Sequence, residues 1–580
     1  MGSSIIHFYL NYLFYPNLLL CFYALYLIVF KKEHKLLYVI ALIGLTFLIK
    51  LPNLYFDGYG SDEPSWITTV HEMANNFNPY ITFDPTTSGI GAMIPLYLFN
   101  TIFHINYFTL RLFETIIDLT TLFFTFKVLE SRLNQNKPLL YLAMVLFYGF
   151  LYLSFDREFN TYNTEHFCIL IFSIVLYSLN RIFIFSENGQ KQSDRKKLYT
   201  YIVWAGLFLG FSVFVKLQNV PVMFFMFILF MLTLLSKKLW RETFVFVACC
   251  TLPVILFLLF FLYKGTLNDF YERYLVTNIE YNRSSYVNAM NPNLQHKIGL
   301  DLRSISSQSY HVFMGVFSII ALSLSLIFGT NFLKLIEAAK KNGLLFYKKN
   351  YDFLFALGVS VSLVVLFCLT IYEIVIPQNY FHHYFILLYQ PLLLLFACMK
   401  WFKVKKWALI FLMVINFFFL CGKNYIYAGY YRSYSKYVFR FKNINGADAK
   451  FHNEISQLDS ATHQTNCSEK YIILWGTMDI RVFVYGKFLP AYRDVADYHL
   501  LAHTGKLKDY YINCFISDIK TNIGHNKVIL LQYNKKAIAS NYKSFADFVN
   551  ENNLNRYFKS IKVVSSYPEY SFYEVTLTSK

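Results

Sequence analysis

Two adjacent carboxylates are the first residues in this chain whose types and spacing suit chemistry. The run FDGYGSDEPSW (56–66) sets Asp62 beside Glu63 directly after an apolar block. Neighbouring carboxylates at the edge of a low-dielectric slab repel one another, which raises the proton affinity of at least one. Such a pair suits a general base or a metal ligand, and a solvated acidic loop cap is the plain structural alternative. Further along, DREFNTYNTEHF (156–167) supplies Asp156 and Glu165. Glu165 follows Thr164 at a helix start, where a carboxylate also favours the helix dipole. KLQNVP (216–221) puts Lys216 between two apolar blocks, a costly place for an ammonium that is neither used nor snorkelled to a surface. Arg273 and Arg283 stand in a polar, Tyr-rich segment, and a guanidinium matches two oxygens of a phosphate. His382 and His383 close the set beside Tyr380 and Tyr384, where a phosphate contact and an interfacial aromatic belt are both open readings.

The elements that must hold these residues are apolar helices. Of 580 residues, 56% are apolar, 20% aromatic and 15% charged, and the mean hydropathy is +0.38. A soluble protein carries about 25% charged residues, so this composition excludes a soluble cytosolic enzyme. Apolar blocks approach the roughly 20 residues that cross a bilayer core. They fall at 6–30, 36–51, 110–126, 138–153, 166–185, 200–215, 220–236, 244–263, 311–333, 351–371, 383–399 and 407–422. The expected fold is a polytopic α-helical membrane protein with about 12 spans. The first block has no basic flank and no small-residue cleavage site, and reads as a retained helix.

Much of the net charge of +18 is a matter of topology. One set of alternate loops holds 23 Lys and Arg, and the opposite set holds seven over a greater length. The positive-inside rule then places the N-terminus and everything after residue 423 outside, and no nucleic-acid partner is implied. The outward segments are 51–109, 154–165, 264–310 and 372–382. Residues 51–110 carry five carboxylates and no Lys or Arg. The chain thus divides into a membrane module, 1–422, and a polar tail, 423–580. Runs YIILWG (471–476) and KVILLQYN (527–534) predict strands there, giving an extracytoplasmic α/β or α+β domain. Nine cysteines form no C-x-x-C pair and no zinc spacing. Cys467 and Cys514 share the tail, where a bridge and two free thiols are both open.

Within 78–100, NPYITFDPTTSGIGAMIPLYLFN breaks at Pro79 and Pro85, turns at Ser88-Gly89 and resumes an apolar helix too short to span. Arg111-Leu112 follows at the head of the next block. This succession of Asp-Glu, Pro-Tyr, polar turn, short helix and Arg-Leu resembles the GT-C superfamily of membrane glycosyltransferases. More narrowly, it is similar to the lipid A aminoarabinose transferases, the protein O-mannosyltransferases and the family 39-type bacterial enzymes. DREFNTYNTEHF, KLQNVP, KGTLNDF (264–270) and PQNYFHHYFILLYQP (377–391) resemble later motifs of that group. The likeness covers roughly residues 36–425. The chain departs from the aminoarabinose pattern in lacking a first-loop lysine and in carrying an extra leading helix.

The resemblance implies an inverting glycosyltransferase at the outer face of the bacterial cytoplasmic (inner) membrane. It would move a sugar from a polyprenyl-monophosphate donor to a glycan, lipid or protein acceptor. It implies Asp62 as catalytic base with Glu63 as its orienting neighbour or as the base itself. Asp156 and Glu165 would bind acceptor or metal. Lys216, Arg283, His382 and His383 would meet the donor phosphate. The carboxylates suit a divalent cation (Mg or Mn), which the resemblance does not require. A flippase of lipid-linked sugars and an O-antigen ligase or polymerase are the competing classes. The first lacks the paired halves many transporters show, and the second usually has a more Arg-rich outward loop. The charge asymmetry makes the orientation testable: a periplasmic reporter fused at Lys580 is expected to be active, and activity of a cytoplasmic reporter alone would overturn it.

Overall fold

The structure is a computed structural model that describes residues 12–281, 351–398 and 444–578. Within those ranges it leaves out 55–61, 154–158, 188–194, 376–381 and some shorter stretches. Ten of the twelve apolar blocks fall at least partly among the described residues, and each is helical. They correspond to α1 (Phe14–Phe30), α2 (Lys35–Leu54), α5 (Tyr107–Leu133), α6 (Lys137–Tyr152), α7 (Thr164–Glu187), α8 (Arg195–Ser212), α9 (Val220–Ser236), α10 (Trp240–Lys264), α11 (Tyr351–Val375) and α12 (Tyr389–Cys398). The blocks at 311–333 and 407–422, and the boundary at 422, lie outside the described residues. Among those described, the helices at 164–185, 217–236 and 240–264 are long and apolar enough to cross a membrane.

Two short helices occupy the first polar segment: α3 (Glu63–Asn75) and α4 (Ile90–Asn100). The second is the short apolar helix anticipated after the Ser88-Gly89 turn. Pro64 starts α3, where its missing N–H costs nothing. A capping box between Asn106 and Thr109 starts α5, each side chain accepting from the other's backbone N–H. The segment 267–281, expected as polar loop, is helical instead and includes a π-helical stretch, Phe270–Val276. Its aromatic residues explain the difference. Phe270 stacks on Phe261 at 4.5 Å and approaches Phe214 at 5.9 Å, so the segment buries a face that a solvated loop would expose.

Small residues set a close helix contact. Gly206 and Gly210 form a G-x-x-x-G step on α8, and α10 packs against it. A Cβ on Gly210 would stand 2.0 Å from the carbonyl oxygen of Cys250, so only glycine permits this approach.

The tail builds a five-stranded mixed sheet of order β2-β1-β3-β5-β4. Its strands are β1 (Tyr471–Trp475), β2 (Leu489–Pro490), β3 (Lys527–Tyr533), β4 (Phe558–Ser566) and β5 (Tyr570–Leu577). β1 runs parallel to β2 and β3, while β5 is antiparallel to β3 and β4. The two apolar runs seen in the sequence are the central strands, and they are continuous because both faces are covered. Ile473, Trp475, Val528 and Leu530 face α15 (Gly505–Asn522) and α16 (Phe545–Glu551). Ile472, Leu474, Ile529 and Leu531 face α13 (Ile444–Thr465) and α14 (Arg481–Gly486). Cys514 is a buried free thiol, and Cys467 lies outside the described residues.

Gly210→Ala is expected to force α8 and α10 apart and to cost about 1–3 kcal/mol, the usual range for an overpacked site. Thermal unfolding of the detergent-solubilised protein checks it, with Gly44→Ala, which meets nothing within 4 Å, as the control.

Candidate functional site

Three of the residues singled out in the sequence meet at one end of the bundle. Lys216 donates to a carboxylate oxygen of Glu165, and His383 Nε2 stands 3.9 Å from the same oxygen. All three are buried. The Lys216 ammonium also lies 4.9 Å from the centre of the Tyr384 ring. Their segments are far apart in sequence: Glu165 begins α7, Lys216 precedes a 3₁₀ turn (Leu217–Asn219), and His383 lies in the 3₁₀ segment His382–Leu388 that leads into α12.

Local chemistry explains how Lys216 reaches this position. Pro221 near the start of α9 stops the helix from extending backwards, and Lys216 is extended, with φ −158° and ψ 119°. The exposed backbone of this stretch is taken up by the first loop. Gly89 N–H donates to the Val215 carbonyl at 2.9 Å and Gly91 N–H to that of Phe214 at 2.7 Å. A Cβ at Gly89 would stand 2.0 Å from the Phe214 oxygen. On the other side, Glu373 accepts from Val222 N–H at 3.0 Å, one of the donors that a helix start leaves open. Gln390 donates to Asn219 Oδ1 at 3.0 Å.

Glu63 is held by a second buried ion pair. Arg111 Nε and Nη2 donate to its two oxygens at 2.7 and 2.6 Å, in the forked geometry that binds carboxylate most firmly. Asp62 differs. It is half-buried, precedes α3, and its side chain makes no capping bond to that helix. Of the adjacent carboxylates, Glu63 is fixed in place and Asp62 stands at the rim. Edge-to-face contact of Trp66 with Tyr162 (6.3 Å) links α3 to the segment just before α7.

A third group continues down the buried face of α5. Lys50 donates to Glu114 at 2.8 Å, and His166 Nδ1 pairs with Asp118 Oδ1 at 2.8 Å. His166 directly follows Glu165, so the first turn of α7 faces both groups.

The sheet domain reaches this end of the bundle. Arg273 Nη1 donates to Asp84 at 2.5 Å and to Asp494 at 2.8 Å. Arg493 forks onto Asp518 at 2.7 and 2.5 Å and donates to the Tyr80 carbonyl. Tyr80 is in the left-handed region, at φ 64°, so this contact holds an unusual backbone turn. Glu72 points toward the same cluster with Oε2 unpartnered. Burial, then the charges of Asp518, Asp494 and Asp84, hold its carboxyl well above the ordinary glutamate range.

Thus Glu165, Lys216 and His383 come together, with Glu63 fixed by Arg111 and Asp62 beside it. Asp156 and Arg283 lie outside the described residues, as does the His382 side chain. Arg273, weighed from sequence as a phosphate ligand, is engaged by Asp84 and Asp494. Sequence reasoning passed over Lys50, Glu114, Asp118, His166, Glu373, Arg493 and Asp494. A signal existed for several, since ionisable residues inside apolar blocks are rarely idle.

No family model and no curated protein matches this sequence. Among solved structures, the chain is similar to ArnT. The match is to the crystal structure of ArnT from Cupriavidus metallidurans in the apo state, with a TM-score of 0.41 and 11% sequence identity. It covers 93% of this chain and 97% of that one.

The Glu72 environment sets a pH dependence. Its raised folded-state pKa means the folded chain keeps a proton that the unfolded chain releases above about 4.5. That stabilisation is complete below the unfolded value and is lost as pH rises through the folded one. Between melts at mildly acidic and at neutral pH, wild-type protein is expected to lose thermal stability relative to Glu72→Gln, which mimics the neutral acid. Parallel melting curves for the two would run through both pH values if Glu72 were ionised in the folded state.

Proposed function

We propose that this chain is an inverting glycosyltransferase using a polyprenyl-monophosphate sugar at the outer face of a bacterial cytoplasmic membrane. The observation that carries this reading is the convergence of Glu165, Lys216 and His383 at the end of the bundle that also holds Asp62 and Glu63. These residues come from the segments whose motifs resemble the GT-C enzymes. Cations for a leaving phosphate and a carboxylate for an acceptor hydroxyl are the two halves such a transfer needs.

In this reading Asp62 takes the proton of the acceptor hydroxyl as that oxygen attacks the sugar's anomeric carbon. The bond from that carbon to the phosphate oxygen breaks, and the phosphate leaves with the electron pair. A single displacement from the opposite face inverts the centre. Lys216 and His383 meet the charge that builds on the phosphate, in a buried setting where each contact counts for more than in water. Glu165 holds the Lys216 ammonium in place before the donor arrives. Glu63, tied to Arg111, positions the backbone that presents Asp62. Arg283 and His382 would add to the phosphate side and Asp156 to the acceptor side. The membrane module 1–422 would carry the reaction, and the outward domain 423–580 would contribute to recognising the acceptor, whether glycan, lipid or protein.

Release of polyprenyl phosphate from a lipid-linked sugar by purified protein tests the reading. Asp62→Asn is expected to lower kcat by roughly 10²–10⁴-fold, the usual loss for a general base. Lys216→Ala is expected to raise KM for the donor if the contact exists in the ground state, or to lower kcat if it forms with the developing charge. Near wild-type turnover in Asp62→Asn would move the base to Glu63 or Asp156. Unchanged donor kinetics in both Lys216→Ala and His383→Ala would sink this placement of the phosphate.

A further inference from the structure

We propose that the inner end of the bundle holds one anionic phospholipid, with its phosphate on Arg132 and an acyl chain in the cavity beside it. The cavity has a volume of about 310 Å³ and lies among α5, α7, α9, α11 and α12. Its walls are mostly apolar, with Leu176, Leu229, Val359 and Leu394 among them, and Arg132 and Asn180 stand on the same lining. It is far from the Glu165–Lys216–His383 group. Glu165 begins α7 whereas Asn180 is near its end, and Lys216 precedes α9 whereas Thr233, on the cavity lining, is near its end. By the charge asymmetry of the loops, the cavity end faces the cytoplasm.

Size and access point to lipid. An α-helix is roughly 10–12 Å across with its side chains, so this volume would take less than one turn of one. It suits part of a single acyl chain, and apolar walls favour methylenes over water. Gly358 on the lining is exposed, and a Cβ there would meet nothing within 4 Å. The cavity is therefore open at the side of the bundle, where a chain can enter from the bilayer.

The polar residues select the head group. Arg132 is the penultimate residue of α5 and is buried, its guanidinium 5.9 Å from the centre of the Phe183 ring. No carboxylate lies on the described lining, so the local field favours an anion, and a guanidinium matches two oxygens of a phosphate. Basic pockets between helices on the cytoplasmic side are where anionic head groups bind. Asn180 adds a second requirement. Ser131 Oγ donates to the Val128 carbonyl at 2.7 Å and accepts from Asn180 Nδ2. That fixes the orientation of the amide, and its Oδ1 is buried without a hydrogen-bond partner. A buried acceptor in that state calls for a donor. An ionised phosphodiester has none, but a glycerol head group carries hydroxyls. Phosphatidylglycerol meets both residues, with charge for Arg132 and a hydroxyl for Asn180.

The test is native mass spectrometry of the full-length protein in detergent, titrated with phosphatidylglycerol, phosphatidylcholine and phosphatidylmethanol. The last has the charge but no head-group hydroxyl. A single phosphatidylglycerol is expected to bind most tightly and to raise the melting temperature. Arg132→Gln should weaken that binding roughly tenfold, the loss of about one hydrogen bond to a charged group. Gly358→Leu, which fills the cavity and keeps the arginine, should weaken it too. The wild-type measurements stand by themselves if either variant fails to fold. Wild-type protein that binds phosphatidylglycerol no more tightly than phosphatidylcholine would overturn the proposal. So would unchanged binding in both folded variants, or a polyprenyl phosphate that displaces phosphatidylglycerol, since the occupant would then be a carrier lipid. Equal binding of phosphatidylmethanol would overturn the part given to Asn180. None of these readouts depends on glycosyl transfer, so failure here leaves the proposed function standing.

Discussion

An unpaired charge in an apolar helical bundle is so unfavourable that each buried ion here dictates where its partner's helix must lie. Lys216 with Glu165, Arg111 with Glu63, Lys50 with Glu114 and Arg273 with two aspartates all sit in largely buried surroundings. Removing one partner from such a pair typically costs about 3–5 kcal/mol, because the other charge stays behind. The apolar surfaces of these helices are interchangeable by comparison. Leucine and phenylalanine tolerate several registers, whereas a bidentate guanidinium–carboxylate pair tolerates very few. The ion pairs therefore supply register to a bundle whose packing supplies cohesion.

The same constraint joins the sheet domain to the helices. Arg493 and Asp494 follow β2, the short edge strand, and reach Tyr80, Asp269 and Arg273, and Arg273 in turn holds Asp84. Two basic and several acidic groups meet there in buried surroundings, and burial beside the charges of Asp518, Asp494 and Asp84 raises the proton affinity of Glu72. The first loop is consequently anchored twice. One anchor is the charged contact at Tyr80 and Asp84. The other is the backbone pairing of Gly89 and Gly91 with Phe214 and Val215. Between these anchors lies the turn that leads from α3 to α4, so the sheet domain constrains the geometry around Lys216 without touching it.

For the proposed chemistry, preorganisation matters more than the count of charges. A lysine held against Glu165 spends no conformational freedom when a phosphate arrives, and its remaining N–H groups are directed by that contact. Glu165 also moderates the lysine's attraction for any stray anion. The rim position of Asp62, beside a glutamate fixed by Arg111, leaves one carboxylate of the pair accessible to a hydroxyl.

By itself the sequence determined the local elements. Apolar blocks marked the helices, Pro79, Pro85 and Ser88-Gly89 marked the break before α4, and the runs around Ile473 and Leu530 marked the central strands, because side-chain periodicity and backbone stiffness act over a few residues. It also singled out Glu165, Lys216 and His383, since a charge or imidazole beside an apolar block is conspicuous in one dimension. What only the tertiary structure decided was the pairing. Glu165 and Lys216 are 51 residues apart, Asp84 and Arg273 are 189 apart, and Arg493 reaches Tyr80 across 413. No local preference encodes such contacts. They exist because low-dielectric burial makes opposite charges seek each other across the folded chain, and that energy acts only once the helices have come together.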